Sequence, residues 1–518
     1  MPKSYINTEP GAMRALLNNF DPIKQVYNRL LSLTLTGHKT DKIEMIVLGG
    51  TWDVYPDDYK EQFIKWLYDA CNTFPEFYAK VQFDKDKKYS YTIDKIEDIT
   101  YPETIEESEK INESADCRMI WLTIETRPEY VDDKNCQFWR RLGVTRLEMG
   151  VQSLYDDVLD ANKRWHSVQQ AREAVHKLRQ YGYKMSLHMM PGLYGSDYEK
   201  DVDSFRQLYD DPFFKPDEIK FYPTSVIPNT ELYDLYLKGE YTPLETDVIQ
   251  KLIKEVFLNT IPPYTRIKRL IRDIPSTEIV AGSSVTNLSQ LTHADMKKTL
   301  KNTPEIQQFY KRLYGDFVVV DSLDDVLSLP QKTQNDTEIQ TYVVWIDPDM
   351  EHYRNFVSLD TRSREIRNRS LDIQGMPKVD GWDDIANLII RRYRSSMGRE
   401  YFLSFEDGLW YLYGLLRLLL PDEGKTVDFA GLGHTTAMVR ELHVYGQLAW
   451  LQKKAHELAA TQHTWFGSQL VAAAEKIAQH NGYEKLSIIA WVGVKAYYRK
   501  LGYGDEGTYV VKHLSLDN

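Results

Sequence analysis

Hydrophobic and polar positions along residues 43–225 form short apolar runs separated by longer amphipathic segments. The apolar runs that we interpret as strands are IEMIVLGG (43–50), MIWLTIET (119–126), RLEMGVQS (146–153), YKMSLHMM (183–190) and EIKFYPT (218–224). Near-continuous apolar runs between helical segments are typical of parallel strands, because helices cover both faces of such a sheet. The pattern therefore predicts repeated βα units, with helices such as SVQQAREAVHKLRQYG (167–182), which ends at Gly182.

The pattern changes outside these units and suggests three regions. Residues 84–116 are highly charged with little helical periodicity, which predicts a surface insertion. The segment IPPYTRIKRLIRDIPSTEI favours a solvated helix face or a strand edge, and residues 301–375 are polar and irregular like a linker. The order strand, helix, strand, helix near the C-terminus predicts a smaller α/β or α+β unit. We therefore expect a barrel-like domain at 1–300, a linker at 301–375 and a second domain at 376–518.

Composition narrows the class of protein. A chain of 518 residues with 42% hydrophobic and 12% aromatic residues is long enough for several buried cores. Its three cysteines match neither a disulfide framework nor a close-spaced metal site, which fits a reducing cytoplasmic setting. No apolar stretch is long enough for a membrane span, and the N-terminus does not resemble a secretion signal, so we expect neither. The net charge of −12 argues against indiscriminate binding of nucleic acid, although a local basic surface could still hold RNA phosphates.

Polar residues and glycines end each of the five predicted strands. They are Gly49, Gly50 and Thr51; Glu125, Thr126 and Arg127; Glu148, Gly150, Gln152 and Ser153; His188; and Lys220, Tyr222 and Thr224. Because the carboxyl ends of barrel strands form its open mouth, this pattern predicts a binding site there. The paired glycines could offer free N–H groups to a carboxylate, Glu125 and Glu148 could bind an amine or ribose hydroxyls, and Arg127 could bind an anion. Tight turns and structural salt bridges are the alternatives.

Several strings carry a family resemblance. KSYINTEPGAMRA, DKIEMIVLGGTW, TIETRPEY, TRLEMGVQS, HMMPGL, IKFYPT, RDIP, RELHVYG and YYRKLGY occur in an order similar to that of the catalytic subunit of Elongator. The resemblance implies an α/β fold, with a partial radical-SAM (β/α) barrel followed by a GNAT-type α+β acetyltransferase domain. It also implies that S-adenosylmethionine is bound in the barrel. The residues implied to bind it are Gly49, Gly50, Thr51, Glu125, Arg127, Glu148 and Gln152.

In that family a three-cysteine loop preceding the KSY segment holds a [4Fe–4S] cluster. Met1 stands where this loop should already have ended, and Cys71, Cys117 and Cys136 lack the spacing to replace it. We therefore expect either a truncated chain or a cluster-free relative, in which reductive cleavage of S-adenosylmethionine cannot occur. The family's linker zinc site is also expected to be absent, since no cysteine follows Cys136, so no metal ligand is assigned.

The C-terminal resemblance implies an acetyl-CoA site on a splayed strand and a following helix N-terminus. The residues implied to contact acetyl-CoA are Lys42, Glu441, Leu442, His443, Val444, Phe466, Gly467, Ser468, Gln469 and Tyr498. Tyr497 and Tyr498 match a family tyrosine pair near the thioester, where a phenol can protonate the leaving thiolate; aromatic core packing is the alternative. Trp465 replaces the first glycine of the family's Q-x-x-G-x-G turn, and it could crowd the pyrophosphate path before the helix SQLVAAAEKIAQ.

The function implied by the resemblance is carboxymethylation of C5 of the tRNA wobble uridine from acetyl-CoA and S-adenosylmethionine. The residues expected to contact anticodon stem-loop phosphates are Arg266, Lys268, Arg269, Arg272, Arg391, Arg392, Arg394 and Arg399. The alternatives are a cluster-free tRNA-binding module and a simple acetyltransferase, which needs only the C-terminal half. We expect a stand-alone enzyme with no obligate protein partner.

Overall fold

The structure is a computed structural model in which most of the chain is placed. It describes residues 5–83, 91–93, 98–285, 287–301, 318–320, 322–329, 339–344, 360–365, 387–406, 411–422, 432–445 and 453–515. None of the described helices has both the length and the apolarity that crossing a bilayer requires.

Helices and strands alternate in the first half of the chain, and strands dominate the second half. The helices are α1 (Pro10–Leu17), α2 (Pro22–Leu35), α3 (Asp57–Ala79), α4 (Ile105–Asn112), α5 (Asp133–Arg141), α6 (Asp156–Ala161), α7 (Val168–Gln180), α8 (Tyr198–Asp210), α9 (Glu231–Leu237), α10 (Thr246–Asn259), α11 (Leu288–Lys301), α12 (Leu323–Ser328), α13 (Thr361–Arg364), α14 (Lys453–His480) and α15 (Lys495–Lys500). The strands are β1 (Lys42–Val47), β2 (Val81–Phe83), β3 (Tyr91–Ile93), β4 (Arg118–Thr126), β5 (Arg146–Gln152), β6 (Lys184–Met189), β7 (Glu218–Phe221), β8 (Arg266–Arg269), β9 (Val318–Val320), β10 (Gln340–Val344), β11 (Asn387–Ser395), β12 (Gly398–Glu406), β13 (Leu412–Pro421), β14 (Thr436–Val444), β15 (Lys485–Ile488), β16 (Gly504–Glu506) and β17 (Tyr509–His513).

The first sheet is an open half-barrel of six parallel strands in the order β1-β4-β5-β6-β7-β8. Five of these strands coincide with the predicted apolar runs, and every residue of β7 is buried. The sixth, β8, comes from the basic segment for which a helix face or a strand edge was left open. It pairs only with β7, so the segment is a strand at the edge of the sheet.

Local sequence explains why the connecting helices begin and end where they do. Ser167 caps α7, its hydroxyl accepting from the Gln170 N–H in a capping box, and the buried face carries residues such as Ala174 and Leu178. The chain reverses at Gly182, whose φ of +77° disfavours a side chain. A Cβ there would also lie 2.1 Å from the sulfur of Met438 in the second sheet, so glycine permits close contact between the two sheets.

The predicted insertion at 84–116 is only partly supported. Residues 84–90 and 94–97 lie outside the described part of the chain. Its C-terminal end instead forms α4, which packs on α3: Ser108 Oγ donates to Asp69 Oδ1 at 2.6 Å, and Asn112 Nδ2 donates to Asn72 Oδ1 at 2.7 Å. The high charge of the segment concealed these buried polar contacts, which complete a helical layer on the half-barrel.

The second sheet has nine strands in the order β16-β17-β15-β14-β13-β12-β11-β10-β9. Most neighbours are antiparallel, but β14 and β15 are parallel, with α14 between them in the chain. The strands β9 and β10 come from the predicted linker and extend this sheet beyond β11. Part of the linker therefore belongs to the second core.

One predicted boundary in this domain differs from the structure. The sequence suggested a phosphate-binding turn at 462–468 before a helix starting near Ser468, whereas α14 already begins at Lys453 and runs through those residues. Side chains of residues 453–465 are outside the described part, so the predicted effect of Trp465 stays a prediction.

A buried network of ion pairs joins the two sheets. Arg440 of β14 donates to both carboxylate oxygens of Asp217, which precedes β7, at 2.7 and 2.8 Å. Arg440 also lies 3.1 Å from Glu400 of β12, which pairs with Arg179 of α7 at 3.0 Å. Burial alone would raise the pKa of Asp217, but the charges of Arg440 and Arg417 hold it well below its ordinary value. Charges buried this completely fix one orientation of the sheets, since any other leaves them unpaired.

Arg440→Met should lower the free energy of unfolding by about 3–5 kcal/mol, because it leaves Asp217 and Glu400 buried without that cation. Urea denaturation at neutral pH would measure the change. The matched control is Arg141→Met, which removes an exposed ion pair with Glu61 and should cost less than about 1 kcal/mol. Equal losses in the two variants would show that the interface does not depend on Arg440.

Candidate active site

A cavity of about 1400 Å³ opens at the carboxyl ends of the half-barrel strands. The predicted S-adenosylmethionine residues all line it: Gly49, Gly50, Thr51, Glu125, Arg127, Glu148 and Gln152. His188, Lys220 and Tyr222 from the next two strands line it as well. The cavity therefore lies where the strand-end pattern predicted a binding site. Its position does not show which ligand each of these residues binds.

Glu148 lies at the centre of a buried cluster of cations on the cavity floor. Its Oε1 accepts from Arg146 at 2.9 Å and from Lys268 at 2.6 Å. Its Oε2 accepts from Lys220 and lies 3.3 Å from Nε2 of His188. Burial would raise the pKa of Glu148, but the hydrogen bond from His188 and the Lys220 and Arg146 charges hold it well below its ordinary value. Glu148 is therefore a permanent carboxylate and not a proton donor.

Glu125 is held by the N-terminal segment and by the loop after β1. The hydroxyl of Tyr5 donates to its carboxylate at 2.6 Å, and the amides of Gly49 and Gly50 point at Oε2 from 3.3 and 3.2 Å. The sequence predicted that these paired amides could bind the carboxylate of a ligand. In the structure they point at the carboxylate of Glu125. Burial and the neighbouring Glu125 raise the pKa of Tyr5, so its proton stays on the hydroxyl.

A strained turn follows β5. Gln152 has a φ of +74°, unusual for a residue with a side chain, and the strand register shifts beside it. A Cβ on Gly150 would lie 2.7 Å from Nε2 of Gln152 and 3.3 Å from Nη2 of Arg164. A side chain at position 150 would therefore require the ends of Gln152 and Arg164 to shift at the cavity wall.

The structure allows two tests of metal and cluster binding. Glu125, Glu148 and His188 offer ligand atoms within 4.8 Å of one another, but three cations already surround Glu148 and would repel a metal ion. The chain's three cysteines are all buried, none lines the cavity, and burial raises the pKa of each thiol. They do not fit a [4Fe–4S] site, which needs accessible thiolates close together.

The described strands of the second sheet splay apart at the predicted acetyl-CoA strand. Pairing of β14 with β15 ends at Val439, whereas β14 continues to Val444 and pairs there only with β13 among the described strands. Among the described strands, β15 therefore diverges from β14 beyond Val439. The side chain of Glu441 is not available to a ligand, because it pairs with Lys184 at 2.6 Å and with Arg417 at 2.7 Å.

Two tyrosines and a glycine lie beside the end of β14. The hydroxyl of Tyr497 is buried and has no hydrogen-bond partner among the described residues. A Cβ on Gly467 would lie 2.6 Å from that hydroxyl and 3.7 Å from Val444. Tyr498, by contrast, is 3% exposed and packs in the core, as the alternative for this pair had it. Tyr497 is the better placed of the two for chemistry.

The remaining predicted acetyl-CoA residues differ in exposure. Leu442 and Val444 pack against the second core, and His443 lies against Trp121 with ring centroids 5.5 Å apart. Phe466 is buried, Ser468 is half-buried and Gln469 is exposed on α14. Lys42 is exposed at the amino end of β1, the end of the half-barrel opposite the cavity.

Known proteins resemble this chain over nearly its whole length. Family models described as "Radical SAM superfamily" and "Radical_SAM C-terminal domain" match residues 95–208 and 216–298. A protein of Methanocaldococcus jannaschii named "tRNA uridine(34) acetyltransferase" is 33% identical over 99% of this chain and 79% of its own length. Human "Elongator complex protein 3" is 32% identical over 99% of this chain and 77% of its own. The chain belongs to this Elongator protein 3 family. The resemblance predicted from the sequence is confirmed.

A solved structure supports the family fold. The structure described as "the archaeal Methanocaldococcus infernus Elp3 with N-terminus deletion (1-46)" is 31% identical, covers 98% of this chain and 97% of its own, and has a TM-score of 0.72. The predicted fold class, a parallel half-barrel followed by a mixed α+β domain, is therefore confirmed.

The basic residues predicted from the sequence to contact RNA phosphates are not equally available in the structure. Arg391 is fully buried, and its guanidinium donates to both carboxylate oxygens of Glu406 at 2.6 and 3.1 Å, so the prediction that it binds phosphate is wrong. Side chains alternate across a strand, which turns Arg391 inward within a row of basic residues. Arg392 pairs with Gln340, and Arg394 with Asp422 at 2.6 Å.

The basic residues of β8 and the following loop largely face the cavity. Lys268 pairs with Glu148, Arg266 with Glu365 at 2.8 Å, and Arg272 with Glu9 at 2.7 Å. Arg269 is the most exposed of the four, with 45% of its side chain accessible. These basic side chains therefore mostly form ion pairs with nearby acidic residues, and little of their charge faces solvent.

Sequence reasoning missed other residues at the mouth, namely Tyr5, Arg14, Arg29, Lys163, Arg164 and Trp165. The prediction relied on residues that directly follow a predicted strand, and none of these six residues does so. The KRW run after α6 contained a usable signal, since it places two cations beside a large aromatic residue just past a helix end.

Glu148→Gln should destabilise the protein by about 3–5 kcal/mol at pH 7, because Lys220 and Lys268 then lie buried without their carboxylate. The lowered pKa of Glu148 contributes stability that is fully present above its unfolded value of about 4.3 and is lost as the pH falls toward the folded value. Denaturant titrations from pH 7 down to pH 4 should show the gap between wild type and variant beginning to close near the lower limit. A gap that widens on acidification would contradict the assignment.

Proposed function

We propose that this protein modifies the wobble uridine of tRNA, building a carboxymethyl group at C5 from acetyl-CoA with S-adenosylmethionine as cosubstrate. The observation that carries the proposal is that one chain, related over its full length to tRNA uridine(34) acetyltransferases, has both a strand-end cavity and a strand, β14, from which the neighbouring β15 diverges. The anticodon stem-loop is the part of tRNA that would enter the cavity.

S-adenosylmethionine fits the residues of the cavity. Its ammonium and sulfonium charges suit the carboxylate of Glu125, and its own carboxylate suits the cations beside Glu148. When bound next to a reduced iron–sulfur cluster, such a molecule supplies a hydrogen-abstracting radical. The chain's three cysteines do not fit that cluster, so we derive no radical step from them.

Acetyl-CoA fits the second domain. Backbone groups at 441–444 can pair with the amides of a pantetheine arm, as a neighbouring strand would. The Tyr497 hydroxyl, which has no partner among the described residues, can donate its proton to the leaving thiolate or position the thioester carbonyl. Burial raises the pKa of Tyr497, which keeps the proton available near neutral pH.

Cys71, Cys117 and Cys136 do not fit a cluster, so the acetyl-CoA site alone supports a second candidate function. In it, the protein binds tRNA and uses acetyl-CoA without radical chemistry, as a cluster-free relative. The two functions share the acetyl-CoA site and differ in whether a carboxymethyl group appears on the uridine. Mass spectrometry of tRNA nucleosides from cells expressing the protein distinguishes them.

Tyr497→Phe should reduce acetyl-CoA hydrolysis by about one to two orders of magnitude, because it removes the proposed proton donor. The assay follows free thiol release by the purified chain with and without tRNA, and tRNA should stimulate the wild type. Tyr483→Phe is the matched control, since its hydroxyl donates to the Pro421 carbonyl away from residues 441–444 and should not matter for hydrolysis.

Tyr498→Phe should change hydrolysis less than Tyr497→Phe, because Tyr498 is buried in the core. The reverse order would move the donor role to Tyr498. No hydrolysis and no coenzyme A binding by the wild type would overturn the acetyl-CoA part of the proposal.

A further inference from the structure

Trp165 is an exposed aromatic side chain at the mouth of the cavity. It follows α6, lines the cavity and is 60% exposed. Tryptophan carries a large apolar surface, and leaving most of it in water forgoes the stabilisation that burial would give. Single exposed apolar side chains are common on protein surfaces, so it is the position of this ring at the cavity mouth that makes it a candidate ligand contact.

The indole is held in place from beneath by a cation. The guanidinium carbon of Arg127 lies 5.2 Å from the Trp165 ring centroid and 5.8 Å from that of Tyr130. Arg127 is itself fixed, since its Nε lies 3.2 Å from Glu129 Oε1 and only 14% of its side chain is exposed. A cation–π contact of this kind orients the ring at little entropic cost to a later ligand.

The residues just before Trp165 give this rim a positive charge. Arg164 donates to the Gly150 carbonyl at 3.0 Å on the cavity wall, and Lys163 also lines the cavity and forms an exposed ion pair with Glu231. A flat aromatic face beside such cations is the combination with which proteins bind unpaired nucleotides, the ring stacking on the base and the cations meeting phosphates.

We propose that Trp165 is a stacking platform for an unpaired nucleobase of the RNA substrate as it enters the cavity. The inference rests on the proposed function for the presence of RNA, and adds to it a named contact and the class of group that it binds. The cavity of about 1400 Å³ is larger than most small-ligand pockets, so a nucleotide can enter alongside a bound cosubstrate. The adenine of S-adenosylmethionine has the same stacking chemistry and is the other possible occupant.

The test compares binding of a fluorescent RNA hairpin with an unpaired loop by wild type, Trp165→Ala and Trp165→Phe. We expect Trp165→Ala to raise the Kd about tenfold and Trp165→Phe to raise it much less, since loss of base–aromatic stacking weakens binding by that order. Wild-type tryptophan fluorescence should also be quenched by the hairpin more than that of Trp165→Phe. The matched control is Phe20→Ala, because Phe20 is 64% exposed but does not line the cavity, and its Kd should be unchanged.

A second arm measures the affinity of each variant for S-adenosylhomocysteine by calorimetry. An unchanged affinity, together with the weaker hairpin binding of Trp165→Ala, supports a platform for RNA. A loss confined to S-adenosylhomocysteine assigns the ring to adenine and overturns the inference. Equal hairpin binding by wild type and Trp165→Ala overturns it and leaves the proposed function intact, whereas a wild type that binds no hairpin rejects both.

Discussion

The buried ion pairs between the two sheets are the constraint on which the rest of the structure depends. Arg440 and Arg417 of the second sheet reach Asp217 and Glu441, while Lys184 of the half-barrel reaches Glu441 from the other side. A buried charge without a partner strongly destabilises the folded protein. These ion pairs are therefore expected to form cooperatively. An apolar interface of the same area could slide, whereas this one has a single register.

The same network extends to the floor of the cavity. Glu148 pairs with Arg146, Arg146 lies 3.6 Å from Glu218, and Glu218 pairs with Lys184 at 2.8 Å, which in turn holds Glu441. Trp121 covers this path, its ring 5.4 Å from Arg146 and 4.5 Å from Lys184. This series of ion pairs thus connects the floor of the cavity to β14, the strand of the predicted acetyl-CoA site.

Parts of this arrangement could be predicted from the sequence, and the reasons are visible in particular residues. The inner strands of the half-barrel, β4 to β7, are mostly buried on both faces, so their apolar runs stood out, and their polar ends marked the cavity. The roles of those polar ends could not be predicted in the same way. Glu148 looked like a ligand for an amine, yet besides Arg146 of its own strand it pairs with Lys220 of β7 and Lys268 of β8, which lie far away in the chain. Pairing over such distances leaves no local sequence signal.

The same limit explains Arg391 and α4. A run of arginines reads as a basic surface unless the alternation of the strand and the position of Glu406 on the neighbouring strand are known. The α4 segment carries many charges, and its contacts with α3 include three hydrogen bonds that involve Ser108 and Asn112. In both cases the sequence pattern indicated exposed polar side chains. The structure instead buries these side chains in pairs.

The edge strand β8 shows how an acidic protein can keep a cationic cavity. Arg266 pairs with Glu365 and Lys268 with Glu148, while Ile267 between them is buried in the core. The alternation of the strand therefore directs its cations to the cavity side, where they are neutralised one by one. At the rim of this mouth, the exposed Lys163 and the half-buried Arg164 precede the exposed ring of Trp165. A net charge of −12 is compatible with RNA binding when the positive potential is confined to this mouth.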